Sequence, residues 1–169
     1  IKKIEKNDKF NLNFDYVNDI KWIIESEIFF KIKRITQFSK RNKIDLNTNS
    51  IIFIRYFLYN LESMNYLESR GRDSLGVSIN FISNSKFQLS NKFGNEYYLS
   101  IFSKKCNSGK YFLNITTKYS KRIGSSGENV SKILEIFEKK IQLNKINFNK
   151  LKSFEIYSHT RWASVGEVT

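Results

Sequence analysis

The chain has 169 residues, of which 40% are hydrophobic and 15% aromatic, a balance that is typical of a globular domain and excludes a disordered chain. Its 29 Lys and Arg against 16 Asp and Glu give a formal net charge of +13 at pH 7. Such a charge suits nucleic-acid binding, but the lysines are spread along the whole chain among Glu and Asn, which weighs against a nucleic-acid interface. No apolar run reaches the length of a membrane span, so no membrane partner is expected.

The single cysteine, Cys106, excludes a disulfide framework within these residues and favours a reducing, cytoplasmic compartment. It lies in a polar turn beside two lysines, where a thiol can become reactive. A tolerated loop thiol is the preferred interpretation. No cluster of metal ligands is visible, and we expect neither a metal nor a cofactor.

The first part of the chain is predicted to be helical. Apolar residues recur at steps of three and four over residues 15–38, which predicts an amphipathic helix with Trp22 in the core. Residues 39–49 form a polar connector. Ser50 is predicted to cap a second helix that runs to about residue 69, and Gly71 is placed to end it.

The remainder mixes strands and helix. Alternation over 75–82 predicts a strand, and residues 97–102 and 111–117 predict two more, joined as a hairpin through 104–110. A Gly/Ser loop at 123–127 precedes a helix over 128–143. A final strand is predicted at 154–159. The fold class is therefore α+β.

Two short blocks carry the functional signal. The first is Arg70-Gly71-Arg72-Asp73-Ser74-Leu75-Gly76, and the second is His159-Thr160-Arg161-Trp162-Ala163-Ser164-Val165-Gly166-Glu167. They resemble two signatures of class II glutamine amidotransferase domains, approximately R-G-x-D-S-A-G and H-T-R-W-A-T-H-G-E. The closer resemblance is to the glutaminase domain of glucosamine-6-phosphate synthase.

The resemblance implies an N-terminal-nucleophile hydrolase fold, an α/β/β/α sandwich. Residues 1–169 would be an internal fragment of one such domain. Asp73 and Arg161 lie 88 positions apart, farther than in ordinary members of the family. We therefore expect a helical insertion at 1–49 and a second insertion at 84–150.

The chemistry implied is hydrolysis of the glutamine side-chain amide, with ammonia passed to a downstream synthase domain of the same chain, of amino-sugar-phosphate type. In the similar enzymes an N-terminal Cys is the nucleophile and its own α-amino group the base. That Cys would lie upstream of Ile1, and the oxyanion donors would lie beyond Thr169. No catalytic residue is thus expected in the fragment, which would be inactive alone.

Three residues are implied to bind glutamine. Arg161 would pair with the α-carboxylate through its two parallel donors. The alternative is an exposed Arg in a surface ion pair, which contributes little energy. Trp162 would lie on a loop that closes over the substrate, where the alternative is core packing. Ser164 would donate its hydroxyl to the same carboxylate.

A second group is implied to form the active-site wall: Arg70, Gly71, Asp73, Gly76 and Gly166. The alternative for the first four is an ordinary helix-to-strand connection. Leu75 and Val165 depart from the family pattern.

Two other functions stay open. Val165 and the insertions motivate a degenerate, non-catalytic amidotransferase fold that acts as an interaction module. The net charge alone motivates a basic nucleic-acid-binding module.

Overall fold

The computed structural model describes residues 14–67, 73–89, 98–120 and 127–161, and the backbone alone of 92–94. The chain divides into two compact units, Ile1–Gln37 and Phe38–Thr169. Helices and an antiparallel sheet are both present, so the predicted α+β class is confirmed. Within the described ranges no helix is long and apolar enough to cross a membrane.

Helix α1 comprises residues 14–22, a π-helical segment Ile23–Phe29 and the α-helical stretch Phe30–Asn42. The predicted first helix is confirmed, and it extends four residues past its predicted end. The prediction that Trp22 lies in a core is wrong, because its side chain is 61% exposed. An apolar stripe predicts which face of a helix needs a partner, but it does not supply that partner.

Helix α2 spans Thr48–Leu67. The residue before it, Asn47, forms its cap: Asn47 Oδ1 accepts the Ser50 N–H at 3.1 Å, and Ser50 Oγ accepts the Asn47 N–H at 2.8 Å. The prediction of Ser50 as the cap is therefore wrong by three residues. Ser50 is the returning partner of a reciprocal capping arrangement, which satisfies two backbone donors at the helix start.

One sheet of five strands holds the second unit together, in the order β2-β3-β4-β1-β5 with every neighbouring pair antiparallel. The strands are β1 (Ser74–Ser83), β2 (Lys92–Gly94), β3 (Leu99–Lys105), β4 (Tyr111–Ser120) and β5 (Leu151–Arg161). All four predicted strands are confirmed, whereas β2 was not predicted. The predicted hairpin joins β3 to β4, closed by the Cys106 N–H on Lys110 O at 2.8 Å, with Gly109 at a φ of +78°.

Helix α3 spans Glu128–Lys139 and ends four residues before its predicted limit. Two single 3₁₀ turns, Leu143–Lys145 and Phe148–Lys150, then lead into β5. Of the predicted Gly/Ser loop only Gly127 is described, and the predicted helix stop at Gly71 lies outside the described residues.

The core lies between α2, α3 and one face of the sheet. Alternate residues of β1 are fully buried there, among them Val77, Ile79 and Phe81. Phe53 of α2 is the centre of an aromatic cluster. Its ring centroid lies 5.2 Å from Phe81, 5.3 Å from Phe148, 5.5 Å from Phe154 and 5.9 Å from Phe57. One side chain thus links α2 to β1, to β5 and to the turn before β5.

We expect Phe53→Ala to lower the free energy of unfolding by about 3–5 kcal/mol, because it removes a fully buried ring and leaves a cavity. Tyr59→Ala, at an exposed position of the same helix, should change it by less than about 1 kcal/mol. Urea denaturation of the two variants measures both. Equal losses would contradict the central position of Phe53.

Glu135 of α3 bonds Lys139 Nζ at 2.8 Å and Lys132 Nζ at 3.0 Å, and these bonds lower its pKa from 4.5 to about 2. A lowered folded-state pKa means that this contribution to stability is present above pH 4.5 and is lost as the pH falls towards 2. NMR titration of the Glu135 carboxyl should show the low pKa. About 1 M NaCl should raise it, because the pairs are exposed. A salt-independent pKa would contradict this cause.

Candidate functional site

The two sequence blocks meet at one end of the sheet. Strand β1 begins where β5 ends, and the antiparallel register places Ser74 opposite Arg161 and Gly76 opposite His159. The pairing continues one residue further, since the Asp73 N–H donates to Arg161 O at 3.1 Å. Residues 88 positions apart in the sequence are therefore bonded neighbours.

Three of the predicted site residues lie within the described chain. Arg161 is exposed, and its guanidinium has no hydrogen bond or ion pair with any side chain in the described ranges. Asp73 is half-buried beside it. Gly76 faces open space, because a Cβ built there would meet no atom within 4 Å. These three lie at the same end of the sheet.

The other five predicted site residues lie outside the described residues: Arg70, Gly71, Trp162, Ser164 and Gly166. Their implied roles as wall, lid and carboxylate donor stay predictions.

Arg161 shares one face of the sheet with a network of polar side chains. The face opposite the helices carries Ser78 and Asn80 of β1, Asn114 and Thr116 of β4, and Glu155 and Tyr157 of β5; we call it the polar face. The first four side chains are half-buried. His159 and Arg161 continue the same face towards the end of β5, because alternate strand residues share a face.

The four half-buried side chains of the polar face bond one another. Asn114 Nδ2 donates to Asn80 Oδ1 at 2.8 Å and to Ser78 Oγ at 3.0 Å, while Thr116 Oγ1 donates to Asn114 Oδ1 at 2.9 Å. Since each amide and hydroxyl has a partner, these groups tolerate burial. The network therefore holds these side chains in place on the same face of the sheet as Arg161.

The network extends to β5 through Glu155. Asn80 Nδ2 donates to Glu155 Oε2 at 3.3 Å, and the Tyr157 hydroxyl donates to the same oxygen at 3.0 Å. The bond to the carboxylate and its negative charge raise the pKa of Tyr157 above 10.0. Tyr157 is thus held as a neutral hydrogen-bond donor next along the face from His159.

Cys106 lies at the other end of the sheet. It follows β3 in the hairpin turn, and the register pairs the start of β4, Tyr111, with Ser83 at the far end of β1. Strand β1 runs nine steps of about 3.3 Å from Ser74 to Ser83, so the thiol is roughly 30 Å from Arg161. Cys106 therefore lies away from the meeting point of the two blocks.

A recess of about 410 Å³ lies on the helix side of β5. Tyr56, Tyr59, Phe154 and Ile156 give it mainly aromatic and apolar walls. It contains no charged group, whereas the meeting point of the two blocks contains a guanidinium and an acidic residue. We therefore place the candidate site at the latter.

No group of three or more His, Cys, Asp or Glu in the described ranges could hold a metal ion. Comparison with protein-family models, with curated proteins and with solved structures gives no match. The geometry and the two sequence blocks alone therefore carry the functional argument.

The polar network was not predicted from the sequence. Its signal is present as polar residues at alternate positions of β1, β4 and β5, for example Ser78 and Asn80. Alternation of this kind is equally typical of a solvent-facing strand surface, and only the register shows that these positions are neighbours.

We expect Asn114→Asp to lower the free energy of unfolding by about 1–3 kcal/mol at neutral pH, since a carboxylate cannot donate to Ser78 and Asn80. Asn107→Asp makes the same charge change at an exposed turn position and should have little effect. Thermal denaturation compares the pair. An equal response would show that the change in charge, not the lost donor, is responsible.

Proposed function

We propose that this chain is part of the glutaminase domain of a class II glutamine amidotransferase, of the branch that makes amino-sugar phosphates. The observation that carries the proposal is the bond between Asp73 and Arg161, which joins the two blocks at one sheet end. Each block alone is a short pattern. Their adjacency is what a shared binding site requires.

The clamp for glutamine is Arg161. A guanidinium offers two parallel donors to the two oxygens of an α-carboxylate, which an ammonium cannot match in geometry. Arg161 is exposed at the strand end, so its guanidinium is available to a ligand. Gly76, with open space above it on the same face, leaves room for the substrate beside the clamp.

The reaction needs a nucleophile that the described residues do not supply. In this proposal an N-terminal Cys thiolate of the parent protein attacks the side-chain amide carbon of glutamine, and the amide nitrogen leaves as ammonia after taking a proton from the α-amino group. Water then cleaves the thioester and releases glutamate. Cys106 is not that nucleophile, because it lies at the opposite end of the sheet from Arg161.

An α/β/β/α sandwich is the finer fold that we propose. The described helices cover one face of the sheet, which corresponds to two of the four layers. A second sheet would then lie on the polar face. The mutual bonds of Asn114, Ser78 and Asn80 meet one requirement of such a layer, because polar groups that are covered must have partners.

The first experiment treats the parent protein with an electrophilic glutamine analogue and maps the modified residue by mass spectrometry. Labelling of an N-terminal Cys, blocked by glutamine, is expected. No labelling of a demonstrably folded protein would refute the proposed activity and favour a degenerate fold that serves as an interaction module.

The second experiment tests the clamp. In the parent protein, Arg161→Ala should raise the glutamine KM by about 100-fold, since a charge-assisted pair is worth a few kcal/mol. Arg161→Lys should lower the KM only part of the way back, because lysine restores the positive charge but not the two parallel donors. The ammonia-dependent reaction should be unchanged.

The matched control is Arg55→Ala, which removes the same charge at an exposed position of α2. It should leave the glutamine KM unaltered. Equal loss of the glutamine- and ammonia-dependent reactions in Arg161→Ala would count against the clamp.

A further inference from the structure

A polar recess lies at the end of the sheet opposite Arg161. Its volume is about 460 Å³, which is within the range of pockets that hold small molecules. Its walls come from the turn after α1, the segment after β1 and the two 3₁₀ turns before β5, all within the second unit. We call it the lysine recess, because three of its lining residues are Lys43, Lys86 and Lys145.

The three lysines are held at fixed positions of the wall. Their side chains are exposed, but the residue that follows each lysine is buried: Ile44, Phe87 and Ile146. A buried apolar neighbour anchors the backbone of each lysine to the core. The core therefore fixes the three points from which the ammonium groups reach the recess.

Hydrogen bonds connect the walls to one another. Asn49 Nδ2, in the first turn of α2, donates to Phe148 O of the second 3₁₀ turn at 3.0 Å. The Ser83 hydroxyl, at the end of β1, donates to Lys150 O at 3.1 Å. Segments that are far apart in the sequence are thus bonded around the recess. A ligand would meet walls that are already ordered, which lowers the entropy cost of binding.

The charge of the lysine recess is positive. Its wall contains three lysines and one acidic residue, Asp45, so positive charge exceeds negative charge by two. None of the three ammonium groups forms an ion pair within the described part of the chain. The N-terminus of α2 adds a partial positive charge at the rim, where Asn47 is the cap and the first turn has no acidic residue. The recess therefore attracts an anion.

The polar lining indicates what the anion is attached to. The side chains of Gln88, Asn144 and Asn147 line the recess and make no hydrogen bond within the described ranges. An amide offers both donors and an acceptor, which is what hydroxyl groups need. The aromatic residue among the described lining, Phe148, is buried with its ring against Phe53. It offers no exposed face on which a nucleobase could stack.

We propose that the lysine recess binds a small phosphorylated polyol. The phosphate contacts the lysine ammonium groups, and the polyol hydroxyls contact the free amides. A phosphate monoester carries about two negative charges at pH 7, which matches the excess positive charge of the wall. Lysine is a point charge that suits the oxygens of a phosphate. The proposal does not rest on the glutaminase function, because the recess lies at the other end of the sheet from Arg161.

NMR titration of the 169-residue chain with sorbitol 6-phosphate tests the binding. This probe is a phosphorylated polyol without a carbonyl group that could react with lysine. We expect shifts of the amide signals of residues 43–47, 85–88 and 144–149, with a dissociation constant of about 1 mM or lower. Sorbitol should cause no shift. Inorganic phosphate should bind at the same residues several-fold more weakly, because it makes no contact with the amides.

Two variants test the contacts. Lys86→Ala/Lys145→Ala should raise the dissociation constant of sorbitol 6-phosphate by about 10-fold or more, since it removes two of the three cations. Asn147→Ala should weaken the binding of sorbitol 6-phosphate and leave that of inorganic phosphate unchanged. Lys21→Ala is the control, because it removes an exposed lysine of α1 far from the recess in the sequence, and it should alter neither. Circular dichroism confirms that each variant is folded.

Three results would overturn the proposal. One is the absence of shifts at these residues with sorbitol 6-phosphate up to about 10 mM. Another is binding that Lys86→Ala/Lys145→Ala leaves unchanged. The third is equal affinity for inorganic phosphate and sorbitol 6-phosphate, which would show that the amides recognise no polyol. A single-stranded oligonucleotide that binds at the recess more tightly than sorbitol 6-phosphate would assign the lysines to a nucleic acid instead.

Discussion

The packing of Phe53 against both β1 and β5 is the interaction on which the candidate site depends. Its ring contacts Phe81 on one strand and Phe154 on the other, so that one helix fixes two strands which are far apart in the sequence. The 3₁₀ turn at Phe148 joins the same cluster just before β5 begins. Because register follows from which residues are buried, this cluster also determines which residue of β5 lies beside Asp73. The geometry of Arg161 is thus a consequence of core packing.

Local patterns were sufficient to predict the main elements of this fold. Alternation identified β1, and the apolar steps of three and four identified α1, because burial imposes its period on the sequence. The errors arose where two neighbouring residues are both suitable helix caps, or where an element is too short to show a period. Asn47 and Ser50 are both good caps, and only the geometry shows that they act as a reciprocal pair. Strand β2 has three residues, too few to display a period, and it is held by its partner β3. Strand order depends on contacts between distant residues, which no local pattern contains.

The candidate site was predictable in its residues and not in its surroundings. Arg161 and Asp73 were identified from two short blocks, and their adjacency followed only from the register of β1 and β5. The polar face could not have been predicted, since Asn114 and Ser78 lie on strands 30 or more positions apart and each would be an ordinary solvent-facing residue alone. The prediction for Trp22 failed for a different reason. A core position was inferred from its helical stripe, but such a stripe requires only some apolar partner.

The two units differ in how much of their apolar surface is buried. The second unit buries its large apolar residues, such as Phe53, Phe81 and Phe137, within its own layers. The described part of the first unit, residues 14–37, is one helix, and a single helix has no second layer on which to bury Ile24 and Ile28. Its isoleucines recur at steps of four residues through a π-helical segment, and burying them requires apolar surface from outside that helix.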